Sequence, residues 1–99
     1  MPTVIIQKWD GLTPEQYDQL REHVQWDRDV PAGMTYHVAA YDQDTLHMTD
    51  VWDSEEQFAA FVQNRIVPGL AHLGIQGLPE SIVTQTHDVF DLAVTAGQR

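Results

Sequence analysis

Between Thr45 and Leu73 the apolar residues change period. In TLHMTDVW they alternate with a period near two, and from Ser54 onward (SEEQFAAFVQNRIVPGLAHL) they recur about every 3.6 residues. A strand therefore runs almost directly into a helix, and both must bury one face in the same core. Ser54 is an N-cap with Gln57 at the capping-box position, and Glu55 and Glu56 sit in the first turn, where the helix dipole favours acids. Phe58, Phe61, Val62, Ile66, Leu70 and Leu73 make the buried stripe. Pro68 lies within that stripe and cannot donate to the carbonyl of Asn64, so a kink or a break into a short second segment is expected. Gly74 stops the helix.

The remaining elements follow from similar signals. Thr3 to Trp9 (TVIIQKW) is rich in β-branched residues and ends at Asp10-Gly11, which reads as a first strand and a turn. Thr13 is an N-cap, Pro14 suits the first helical position, Gln16 completes a capping box, and Leu12 and Tyr17 are spaced as a hydrophobic staple. Tyr17, Leu20 and Val24 form the apolar face of a helix expected to reach about Trp26. Met34 to Tyr41 is a second strand, joined through Asp42-Gln43-Asp44-Thr45 to the third at Thr45 to Trp52. If Gln43 and Asp44 are a two-residue loop, the cross-strand pairs are Tyr41/Leu46, Ala39/Met48, His37/Asp50 and Thr35/Trp52. The other face then holds Met34, Tyr36, Val38, Ala40, His47, Thr49 and Val51. A slip of one residue would exchange the two faces. Ser81 to Phe90 is expected as a fourth strand, inside a single domain over residues 1–92 with a loose tail at 93–99.

Composition narrows the chemistry. The chain has 99 residues, enough for one core, and 5 Lys+Arg against 15 Asp+Glu give a net charge of −10. No basic stripe is present to neutralise a phosphate backbone, so nucleic acid is excluded as a partner, and an anionic membrane would repel the chain. There is no cysteine, so thiolate chemistry and disulfides are excluded. No run is long and apolar enough for a membrane span, and MPTVIIQKW reads as a strand and not as a signal peptide, so the expected compartment is the cytoplasm. No Gly-rich phosphate loop and no close histidine spacing occur, so neither a cofactor nor a metal is expected.

The element order β-α-β-β-α-β defines an α+β, ferredoxin-like plan: a four-stranded antiparallel sheet with strands one and three central and two helices on one face. Two helices cover one face only, whereas strands two and three carry large apolar residues on both, so a homodimer packed sheet to sheet is expected. The face bearing Asp50 and Trp52 is taken as the one the helices leave open. There the dimer contact and any active site are expected.

The run VWDSEEQFAAF, a strand ending in Asp-Val-Trp followed by a Ser cap and a helix carrying Phe58 and Phe61, resembles the dimeric α/β-barrel superfamily. Within it the chain is similar to the antibiotic-biosynthesis-monooxygenase group. The resemblance implies sheets that join into a barrel, a ligand cavity between sheet and helices, and cofactor-independent oxygenation of a small aromatic or polyketide-type substrate. Ala71-His72 resembles the Ala-His of haem-degrading relatives, which implies a functional role for His72. Phe61 stands where those relatives have Trp, and Ile6 and Gln7 stand around their Asn position.

From the residues themselves, His37 beside Asp50 is the strongest constellation. A carboxylate fixes the tautomer of an imidazole and raises its basicity, as a general base for a phenolic or enolic proton requires. The candidate catalytic residues are therefore His37, Asp50 and His72, with Trp52, Met48, Tyr41 and Phe61 as candidate substrate contacts. The competing reading of His37/Asp50 is a polar pair satisfied at the dimer interface. His87 is assigned to neither face of strand four. At the level of the whole protein, the alternative to an enzyme is a non-catalytic dimer that binds a small apolar ligand or serves as a stress or accessory protein, with haem binding through His72 a third reading.

Overall fold

A computed structural model of the chain describes residues 2–88. The order is β1 (Thr3–Asp10), α1 (Pro14–Val24), β2 (Met34–Asp42), β3 (Thr45–Trp52), α2 (Glu55–Phe61), a π-helical turn (Val62–Ile66), α3 (Val67–Leu73) and β4 (Glu80–Gln85). The antiparallel sheet has the order β2-β3-β1-β4, with β1 and β3 central. This is the ferredoxin-like split βαβ plan. None of the described helices is long and apolar enough to cross a membrane.

Local chemistry sets most boundaries. Thr13 accepts from the Gln16 amide while the Gln16 side chain accepts from the Thr13 amide, a complete capping box. At α2 the Ser54 hydroxyl accepts from the Gln57 amide, but the Gln57 side chain accepts from that same hydroxyl instead of returning to the backbone. α1 ends at Val24, earlier than the periodicity suggests, because Gln25 takes the left-handed conformation at φ 63°. Trp26 therefore leaves the helix and turns back into the core, 8% exposed. In the β2–β3 loop Gln43 adopts φ 55°, so the tight two-residue connection forms without a glycine.

The second helical region breaks where proline requires it. Pro68 has no N–H for the Asn64 carbonyl, and the chain answers with a π turn in which the Val67 amide donates to the Val62 carbonyl. The segment resumes as α3 with Pro68 in its first turn and stops at Gly74, φ 70°. Arg65, projected by the π turn, donates to the Val24 carbonyl at 2.8 Å and so ties the end of α1 to this bend.

Two expectations about the sheet are corrected. A bulge at Thr35 shifts the register, so Trp52 pairs with Met34 and not with Thr35. Met34 thereby joins the inner face and packs against the core. Further, the face bearing Asp50 and Trp52 is the one the helices cover: Trp52 is 0% exposed and lies against Phe58 and Phe61. The open face carries Ile6, Tyr36, Val38 and Ile82, which are 42% to 60% exposed. β4 ends at Gln85, and the remainder of the expected strand to Phe90, with the boundary at residue 92, lies outside the described residues.

Gly69 of α3 lies against side chains of α1. A Cβ there would stand 2.9 Å from Val24 Cγ2 and 3.2 Å from Leu20 Cδ1. Gly69→Ala should therefore destabilise the fold by about 1–3 kcal/mol despite the better helix propensity of Ala. Denaturant unfolding checks this; a variant as stable as the parent would show that the two helices separate at little cost.

Candidate active site

The hairpin register places His37 opposite Asp50, both directed toward the helices. Asp50 is 3% exposed and accepts two hydrogen bonds, from His37 Nδ1 at 2.5 Å and from Trp52 Nε1 at 3.2 Å. An indole nitrogen can only donate, and a carboxylate can only accept, so Nδ1 of His37 carries the proton. In the neutral imidazole Nε2 then has the free lone pair, and it accepts from the Tyr17 hydroxyl at 2.9 Å. The result is a four-residue chain, Tyr17–His37–Asp50–Trp52. Trp26 packs edge-on to both Tyr17 and His37, with ring centroids 5.6 and 5.9 Å away.

Each link has a local cause. Tyr17, Leu20 and Val24 share the face of α1 that meets the sheet, so the phenol reaches inward. Trp52 is held by Phe58 and Phe61 from α2, which orients its indole N–H toward Asp50. Among the described residues no buried side-chain nitrogen or oxygen lacks a partner, which is how a carboxylate remains inside an apolar core.

The chain borders a cavity of about 290 Å³ between sheet and helices. Trp9, Leu46 and Met48 line it from the sheet, Leu20, Phe58 and Phe61 from the helices, and Val62, Gln63 and Ile66 from the π turn. Among the described residues no Lys or Arg lines it. Gln7 adds an amide that donates to Ser81 Oγ at 3.3 Å. Tyr17, Trp26, Met34 and His37 also border a shallow outer hollow that takes in Arg21, Asp27 and Tyr36.

The expected site residues separate into groups. His37 and Asp50 come together on the helix-covered side of the sheet, away from the open face on which an interface pair would lie. Met48 and Phe61 line the cavity, while Trp52 lies behind it and anchors Asp50. Tyr41 does not line it; its hydroxyl donates to the Leu12 carbonyl at 2.7 Å, and burial raises its pKa above 10.0. His72 is exposed and stacks on His23, centroids 4.4 Å apart, clear of the cavity. His87 is exposed beyond the end of β4. Tyr17, Trp26, Met34 and Gln7 are participants that the sequence reading passed over. The position of Tyr17 beside Leu20 and Val24 was a usable signal, since a polar-tipped aromatic on a buried helix face needs a partner.

The ferredoxin-like fold described above is shared with solved structures of proteins named as antibiotic biosynthesis monooxygenases and of proteins of unknown function. Similar solved structures include a protein from Chloroflexus aurantiacus named as a candidate antibiotic biosynthesis monooxygenase, at 22% identity and TM-score 0.65 over 93% of this chain and 99% of that one. A protein of unknown function from Nitrosomonas europaea is similar at 14% identity and TM-score 0.68, covering 90% and 92% of the two chains. The cofactor-independent oxygenase SnoaB of Streptomyces nogalater is similar at 13% identity and TM-score 0.63, covering 89% and 94%. The sequence matches no protein-family model and no curated protein. Likeness at identities this low shows the fold alone.

The Tyr17 hydroxyl carries a further signature. Burial, reinforced by Asp50 and Asp18 and opposed by Arg21, pushes its pKa from 10.0 to about 12. The folded state thus keeps a proton that the unfolded state begins to lose near pH 10, and stability should fall as pH rises from there through about 12. Alkaline titration of tyrosinate absorbance should show a late component that shrinks in Tyr17→Phe, with the raised Tyr41 remaining. An unchanged late component in that variant would assign it elsewhere.

Proposed function

We propose that the protein is a small-molecule enzyme of the cofactor-independent monooxygenase type, acting on a small aromatic or polyketide-like substrate, with His37 as base and Asp50 as its partner. The observation that carries this reading is the Tyr17–His37–Asp50–Trp52 chain at the wall of an apolar cavity. Loss of a phenolic or enolic proton leaves an electron-rich anion, which can pass an electron to dioxygen without flavin or metal. The imidazolium formed at His37 is opposed by the Asp50 carboxylate already bonded to it. The apolar walls accept rings. The apolar lining, with no Lys or Arg among its described residues, supports a neutral substrate. The description of SnoaB as a cofactor-independent oxygenase supports the reaction class.

One observation favours the non-catalytic reading. Both ring nitrogens of His37 are already engaged, so as it stands the cavity could hold a ligand without attacking it. A binding protein would gain thermal stability with ligand and turn nothing over. His37→Ala and His72→Ala, assayed with anthrone-like substrates, separate the two readings. His37→Ala should lose about a hundred-fold or more of turnover, the usual contribution of a general base, and His72→Ala should match the parent. No turnover by the parent, together with stabilisation by ligand, would select the binding protein.

The open face supports a homodimer joined sheet to sheet. Ile82, Ile6 and Val38 lie in one cross-strand row with Thr49 between the last two, and Tyr36 lies beside Val38 on the same face of an acidic chain; a second copy is the occupant that this face suits. Val38→Glu would place a carboxylate on each side of a two-fold interface. Light scattering after size exclusion should show a dimer for the parent and a monomer for this variant. A parent that runs as a monomer would remove the dimer.

A further inference from the structure

Gln7, Gln63 and Ser81 line the cavity with Tyr17, His37 and Asp50, and at the wall formed by the last three the hydrogen bonds run inward along the chain. Asp50 Oδ1 and Oδ2 each accept a hydrogen bond and the residue is 3% exposed, so its carboxylate is turned to its own partners, and Gln7 donates to Ser81. His37 has Nδ1 on Asp50 and Nε2 on Tyr17, so neither ring nitrogen offers the cavity a lone pair or a proton. Tyr17 differs. Its one O–H is spent on His37, but a phenolic oxygen also accepts hydrogen bonds, and the Tyr17 side chain itself lines the cavity. The group offered to a ligand at this wall is therefore an acceptor backed by a base.

We propose that Tyr17 is the residue that meets the ligand: its hydroxyl oxygen accepts a hydrogen bond from a ligand hydroxyl, so the cavity selects phenols and enols over their ethers. This rests on the reading of the cavity as a small-molecule site. In the proposed reaction Tyr17 is also the first proton acceptor. The ligand O–H bond breaks as a new O–H bond forms on Tyr17, and the proton Tyr17 already carries passes to Nε2 of His37. Tyr17 ends neutral as it began, His37 becomes an imidazolium facing Asp50, and the ligand holds the electron pair. Reversal of the same two transfers returns the proton to the product. Tyr17 is thus a catalytic residue in contact with substrate, and His37 acts through it.

The test compares 2-naphthol with its methyl ether, two ligands alike in their ring system and differing in the donor, by calorimetric titration of the full chain. The parent should bind the naphthol about ten-fold more tightly, the factor one net hydrogen bond supplies. Tyr17→Phe keeps the ring packed against Trp26 but removes the acceptor, and it should bind the two ligands alike. Equal binding by the parent overturns the proposal without recourse to any variant, as does a preference that survives in Tyr17→Phe. Failure of both ligands to bind overturns the cavity as a ligand site as well. A preference that depends on Tyr17 in a protein that turns nothing over upholds hydroxyl recognition and removes only the catalytic reading.

Discussion

Asp50 holds a carboxylate 3% exposed inside an apolar core, where an unpaired charge would cost several kcal/mol. It remains there because His37 Nδ1 and Trp52 Nε1 both donate to it, one from the paired strand and one from two residues along its own strand. Much of the interior follows from that pairing. Trp52 cannot turn without breaking its bond to Asp50, and its fixed ring is the surface on which Phe58 and Phe61 settle. The tautomer of His37 is fixed as well, which leaves Nε2 to Tyr17 and so draws α1 onto the sheet. Replacing either donor would leave Asp50 with half its partners, whereas exchanging the whole group for apolar residues of similar volume is the kind of change that a core tolerates.

Irregular backbone gives the cavity its shape. The bulge at Thr35 brings Met34 to the inner side, and the π turn before Pro68 places Val62, Gln63 and Ile66 along one wall. A straight helix would continue the stripe of Phe58 and Phe61 without this widened stretch. Both irregularities have partners that hold them: Thr35 donates to the Val51 carbonyl, and Arg65 bridges the bend to the end of α1. Such features occur often beside functional sites because they redirect side chains without interrupting the element.

The two faces of the sheet have divided roles. Thr3, Ile5, Gln7 and Trp9 of β1 look toward the helices and are all buried, while Ile6 looks outward and is 44% exposed. β2 shows a weaker alternation because it is an edge strand whose outer face has no cover among the described residues. The net charge of −10 works against self-association at any face, so a contact between copies has to draw on apolar area such as Ile6, Tyr36, Val38 and Ile82.

The sequence by itself determined the elements and their order. The change of period around Ser54, the capping residues Thr13 and Ser54, the break at Pro68 and the stop at Gly74 are local signals, governed by hydrogen bonds within a few residues of each other. The pair His37/Asp50 was legible as well, because a two-residue loop fixes the register of a hairpin by counting. Which face of the sheet the helices would cover was not legible, since β2 and β3 are apolar on both. The bulge at Thr35 was hidden too, and with it the place of Met34. Tyr17 and Trp26 joined His37 only through tertiary packing, from a helix and a loop separated from it by strand formation and a left-handed turn at Gln25. A cluster assembled from three elements depends on how those elements pack, and packing is set by shape and burial across the whole domain, beyond the reach of local pattern.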